Sequence, residues 1–180
     1  MIDVRKRYFE ACVYDFEVDY DLSEVKTHIQ NLIFKKDVML TTFLDRENII
    51  EDPKLINFKN FLYEILHSFC DNIIKKKEPY IFRSWFQAYD KEASHNLHIH
   101  EGQINNFGLL YYLQASEKSS PTIFYMPGHP YIQAEEIHVK AKTNKIVIFP
   151  GCIPHEVLKN DDNERLIFSC NFEVKNENTI

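Results

Sequence analysis

From Pro79 onward the chain breaks into six short apolar runs, and the turn-forming clusters between them leave no room for a long helix. The runs cover residues 80–86, 108–113, 122–126, 136–139, 145–149 and 165–172. Ser119-Ser120-Pro121, Pro127-Gly128-His129-Pro130, Pro150-Gly151 and residues 160–163 carry the Pro, Gly, Asn and Asp chemistry that ends strands. Strands this short, with helical patterns only upstream, predict an α+β chain: an antiparallel jelly roll buttressed by N-terminal helices.

Two helices are expected before Pro79. Asp21 or Ser23 caps the first, whose Leu22, Val25, Ile29 and Ile33 fall at helical spacing. The second begins near Pro53, where a missing N–H does no harm, and its stripe is Leu55, Phe58, Leu62, Ile65, Phe69 and Ile73. Lys75-Lys76-Lys77 ends it, as the helix dipole favours. At 180 residues and 44% hydrophobic content the chain suits one domain. It divides into mainly helical support over 1–78, a jelly-roll core over 79–172 and a polar tail over 173–180.

Composition narrows the partners. A net charge of −6 disfavours stable binding to nucleic acid or to acidic membranes, which need a basic face. Cys12, Cys70, Cys152 and Cys170 are scattered and form no CxxC pair, so reduced thiols and a cytoplasmic setting are expected. No apolar run reaches the length of a membrane span. Monomer and homodimer both stay open, with the N-terminal helices as the surface for pairing.

Histidine placement carries the chemistry. Residues i and i+2 of a strand share a face, so His98 and His100 project together. Fifty-four residues separate His100 from His155, which follows the Ile148-Phe149-Pro150-Gly151 turn and can approach on a neighbouring strand. Arg165 opens the last run, sharing a face with Ile167, Ser169 and Asn171. An inward arginine is expensive without an anion, and a dicarboxylate would supply one through a bidentate contact. His95 is three residues from His98 and is expected to leave the face. Trp85 is expected to be core.

Trp85, His98-x-His100, Gly108-Leu-Leu-Tyr-Tyr-Leu113, Ile148-Phe-Pro-Gly-x-x-Pro-His155 and Arg165 through Asn171-Phe172, in this order, resemble the Fe(II)/2-oxoglutarate-dependent oxygenases, in a compact bacterial and phage branch. The resemblance covers about residues 80–172 and implies a cupin-like double-stranded β-helix with Fe(II) at its open end. It implies His98, His100 and His155 as metal ligands and Arg165 as the clasp for the far carboxylate of 2-oxoglutarate. Ser169 and Tyr111 or Tyr112 are implied helpers. The activity implied is hydroxylation of a C–H bond in a small molecule or peptide side chain.

One departure matters. Most of this superfamily places Asp or Glu two residues after the first histidine, where this chain has His100. Glu101 is the nearest carboxylate; on a regular strand it faces away, and only a bulge would turn it inward. Two rival readings follow: a three-histidine cupin dioxygenase that uses no keto acid, and a non-catalytic metal-binding jelly roll.

Overall fold

The computed structural model describes residues 11–33, 41–43, 48–75, 78–100, 103, 105–126, 136–161 and 165–175. Among them are two antiparallel sheets. The larger has the order β1-β7-β4-β9-β2, from β1 (Tyr14–Glu17), β2 (Glu78–Tyr89), β4 (Asn106–Gln114), β7 (Lys145–Pro150) and β9 (Arg165–Lys175). The smaller has the order β3-β8-β5-β6, from β3 (His95–His98), β5 (Thr122–Tyr125), β6 (Glu136–Val139) and β8 (His155–Val157). None of the described helices is long and apolar enough to cross a membrane.

Strand alternation divides the interior into two cores. Leu109, Tyr111 and Leu113 of β4, Ile146 and Ile148 of β7, and Phe168, Cys170 and Phe172 of β9 face the helices. Their intervening neighbours Leu110, Tyr112, Val147, Phe149 and Ile167 face the smaller sheet, where they meet Phe124, Val139 and Val157. Because both faces of β4, β7 and β9 are covered, these strands read as continuous apolar runs.

The helix side follows the expected stripes with two shifts. Helix α1 (Ser23–Ile33) begins where the Asp21 carboxylate accepts from the Ser23 N–H at 3.0 Å, and Leu22, Val25 and Ile29 are buried. Pro53 opens a short 3-10 turn, Pro53–Leu55, with Asp52 accepting from the Lys54 N–H; helix α2 (Ile56–Phe69) follows. Leu66 joins the stripe, fully buried beside the half-buried Ile65, and Ile73 is exposed. The cause of the second shift is the π turn Cys70–Ile74, whose wider rotation carries Ile73 off the stripe and packs Ile74 against the core instead. Phe58 anchors α2 to the sheet, edge-on to Phe168 at 5.2 Å and stacked on Tyr111 at 5.8 Å.

One strand was not expected, and two more came from the histidine reading alone. β1 lies in the segment read as helical support, pairing its four residues with Lys145–Ile148 of β7. β3 and β8 are short and polar, without the apolar signature of a strand. At the other end β9 runs on through Glu173, Val174 and Lys175, which the tail was expected to begin, because they pair with Glu78, Pro79 and Tyr80 of β2. Lys76, Lys77 and the turn from Pro127 to Pro130 lie outside the described residues.

Replacing Phe58 by alanine is expected to destabilise the protein by about 3–5 kcal/mol, read by chemical denaturation, since it removes the ring on which α2 meets β4 and β9.

Candidate functional site

His98 closes β3 directly opposite His155, which opens β8. His100 lies two residues beyond the strand end, where its N–H donates to the Gly151 carbonyl at 2.9 Å. That bond to the β7–β8 turn, rather than a continuing strand, swings His100 to the side of His98. One ring nitrogen from each of His98, His100 and His155 falls within 4.8 Å of the other two. The three residues therefore offer a facial set of donors, and no Asp or Glu joins the cluster among the described residues. Glu101 lies outside them.

Each imidazole is oriented by its second nitrogen. Nδ1 of His98 is 2.7 Å from the Asn96 carbonyl, Nδ1 of His100 is 2.7 Å from Asn171 Oδ1, and Nδ1 of His155 is 3.1 Å from the Ile153 carbonyl. A carbonyl oxygen only accepts, so all three Nδ1 atoms carry the proton and donate. Each Nε2 is left with a lone pair, the form a metal needs. Burial reinforces this neutrality. It holds His155 well below the usual imidazole range and His100 at about 4, with the neighbouring histidines adding to the effect, and lowers His98 as well.

The space around His100 is tight. Phe149 packs against His100 at 5.2 Å and His155 at 4.7 Å between ring centroids. Gly108 lies across from both Phe149 and Asn171 in its strand pairings. A Cβ there would stand 2.5 Å from the Phe149 ring and 2.9 Å from His100 Nδ1. Only glycine leaves the His100–Asn171 bond undisturbed.

Arg165 is 1% exposed, inside the cleft that also holds the three histidines. One terminal nitrogen donates to Thr122 Oγ1 at 2.9 Å, while Nε and the other terminal nitrogen have no hydrogen-bond partner among the described residues. The guanidinium lies 4.3 Å over the Tyr89 ring and 5.4 Å from that of Tyr112. Ser169 lines the same cleft, its buried hydroxyl also without a partner. The expected pair of tyrosines resolves by strand alternation. Tyr112 is on the cleft side, its hydroxyl 2.7 Å from Thr122 Oγ1. Tyr111 is excluded from the site: it faces the helices, stacks on Phe58 and donates to Asn144 Oδ1.

Two further expectations change. His95 stays with the site, its ring stacked 4.0 Å from that of His98 and its Nδ1 3.3 Å from the Tyr89 hydroxyl. A bulge between His95 and His98 inserts one extra residue in β3, which restores the face that simple alternation would lose. Trp85 is buried as expected, yet it borders the cleft, 5.7 Å from His100. Tyr89, Thr122 and Asn171 carried no signal of their own in the sequence; the strand face of Arg165 was the only route to Asn171.

No family model matches the chain, and no curated protein sequence is similar to it. Solved structures do match its shape. The epimerase SnoN of nogalamycin biosynthesis, non-haem and α-ketoglutarate dependent, superposes with a TM-score of 0.70 at 8% identity, over 90% of this chain and 76% of that one. A Pseudomonas putida prolyl-4-hydroxylase gives 0.60 at 12% identity, over 91% and 92%. HygX of Streptomyces hygroscopicus, solved with nickel and 2-oxoglutarate bound, gives 0.61 at 9% identity, over 91% and 82%. The fold is that of the 2-oxoglutarate–iron(II) oxygenases. A longer oxygenase of this fold from Burkholderia pseudomallei is covered over only 55% of its length.

Two outcomes are expected from this oxygenase-fold site. The buried imidazoles take up protons less readily in the folded chain than in the unfolded one, so unfolding binds protons. Stability of the metal-free protein should therefore rise with pH between about 4, where His95 and His100 titrate, and the unfolded histidine value near ~6.5, as read by thermal melts across that range. Asn171→Ala should weaken metal binding by about 10–100-fold, measured by competition with a chelator, because His100 loses its orienting partner.

Proposed function

We propose that this chain is an Fe(II)- and 2-oxoglutarate-dependent dioxygenase that hydroxylates a C–H bond of a small molecule or peptide side chain. In this reading the two sheets are the halves of a double-stranded β-helix, with the histidines at its open end. The observation that carries it is Arg165. A guanidinium buried to this degree, with two donor nitrogens unpartnered, fits a cleft shaped for an anion.

The spacing supports a dicarboxylate. Thr122, which holds Arg165, and Phe124, which stacks on His155 at 5.4 Å, are successive residues on one face of β5. The groups that hold Arg165 and pack on His155 thus sit about 7 Å apart along β5, a spacing on the scale of a five-carbon keto diacid. His98, His100 and His155 would hold the metal through Nε2. Arg165 would clasp the far carboxylate, with the Thr122, Tyr112 and Ser169 hydroxyls arranged around it. The apolar rings of Phe124 and Phe149 keep water from the inner side of the imidazoles. Bound iron would activate dioxygen, with decarboxylation of the keto acid to succinate and carbon dioxide supplying two electrons and the substrate C–H bond the other two as it becomes C–OH.

The all-imidazole donor set also suits a three-histidine dioxygenase that needs no keto acid, and one experiment separates the two. Fe(II) and 2-oxoglutarate added without oxygen should produce a visible metal-to-keto-acid charge-transfer band. His155→Ala should abolish metal binding. Arg165→Met should bind iron but need about 30-fold or more 2-oxoglutarate to reach the same band, the scale expected when one partner of a buried charged pair is lost. Iron bound with no band favours the three-histidine enzyme. Bound metal with no oxygen consumption under either condition favours a binding protein.

A further inference from the structure

Arg83 lies on β2 two residues before Trp85, outside the residues that line the cleft, with Arg165 paired at the far end of the same strand. Its position comes from a bulge. Ile81 pairs with Phe172 and Arg83 pairs with Asn171, so one residue of β2 is extra, and the strand changes face between them. Ile81 is buried among the helix-side core. Arg83, Trp85, Gln87 and Tyr89 then pair with Asn171, Ser169, Ile167 and Arg165, the cleft-side residues of β9. Bulges re-aim side chains, and this one brings a cation onto the sheet face that carries Asn171 and the cleft. Directly opposite Arg83 is the asparagine that holds His100.

The guanidinium is also fixed in place. It lies 3.9 Å over the Phe43 ring and donates to the Phe43 carbonyl at 3.2 Å. Phe43 in turn packs edge-on to Trp85, at 5.0 Å, and Trp85 borders His100. Arg83 is exposed and has no carboxylate partner among the described residues. In a chain with net charge −6, a preorganised cation without a counter-charge among the described residues, on the sheet face of the histidine site, is a recognition element rather than a solubility device. Its remaining N–H donors form a fork that matches a carboxylate, and the Phe43 and Trp85 rings offer apolar contact to the carbon skeleton behind it.

We propose that Arg83, with Phe43 and Trp85, binds the carboxylate of the primary substrate, so that the enzyme acts on a small carboxylic acid or amino acid oxidised close to its acid group. The proposal rests on the oxygenase reading above. Trp85 is the only tryptophan in the chain, which makes its fluorescence a local reporter. Wild-type protein saturated with Ni(II) and 2-oxoglutarate would be titrated with free L-amino acids and short-chain carboxylic acids, each compared with its primary amide. At least one acid is expected to change the Trp85 emission saturably, with its amide about tenfold weaker or worse, and Arg83→Gln should remove that preference while Arg83→Lys keeps part of it. The proposal is overturned if no acid binds, if acids and amides bind alike, or if Arg83→Gln binds the acid as tightly as wild type. Should wild-type protein lack the anaerobic iron–keto-acid band, the oxygenase reading falls and this proposal with it. A band in wild type combined with any of the three failures overturns the substrate assignment alone.

Discussion

The alternation of β9 is the constraint on which the remaining structure depends. Its even-numbered residues, from Leu166 to Val174, close the core under the helices, and its odd-numbered ones, Arg165, Ile167, Ser169 and Asn171, look into the cleft. One strand thus builds the scaffold and places the cleft's buried charge, an unpartnered hydroxyl and the support for His100. A register slip of one residue would put Arg165 and Asn171 into the helix core and the phenylalanines into the cleft. The pairings with β2 over one edge and β4 over the other prevent that.

Local departures from regularity do the fine positioning. β2 and β3 each carry a bulge next to the cleft, one re-aiming Arg83 and the other returning His95 beside His98. His100 leaves its strand altogether and is held by a turn carbonyl and an asparagine side chain. The site is made of backbone irregularities pinned between two regular sheets, a division that lets the sheets stay rigid while the chemistry-bearing side chains take orientations that a flat strand would not give.

Much of this was legible in the sequence because alternation and apolar runs are local signals. The six runs became strands, the cleft face of β9 was read from Arg165, Ile167, Ser169 and Asn171, and His98 and His155 meet from neighbouring strands as read, while His100 joins them from beyond the strand end rather than by alternation. What was missed has a common cause. β1 is short and half polar, so its strand character comes from a partner distant in sequence. The bulges and the π turn each shift the phase by one residue, which displaced the expectations for His95 and for Ile73. Tyr111 and Tyr112 were indistinguishable as adjacent tyrosines until the face of β4 was known. Arg83 drew no notice because a lone arginine in an apolar run has no local mark.

The enclosed guanidinium of Arg165 also bears on how long the folded chain survives. Two of its donors face no acceptor, so the native fold carries an unfavourable desolvation that any well-matched anion removes. A ligand that binds the folded chain and not the unfolded one raises stability by mass action, about 2.7 kcal/mol when present at a hundred times its dissociation constant. Turnover of the chain by proteases that act on its opened forms then becomes tied to the supply of that anion. The residue that would anchor a reactant would, by the same contact, tie the protein's persistence to that reactant's supply.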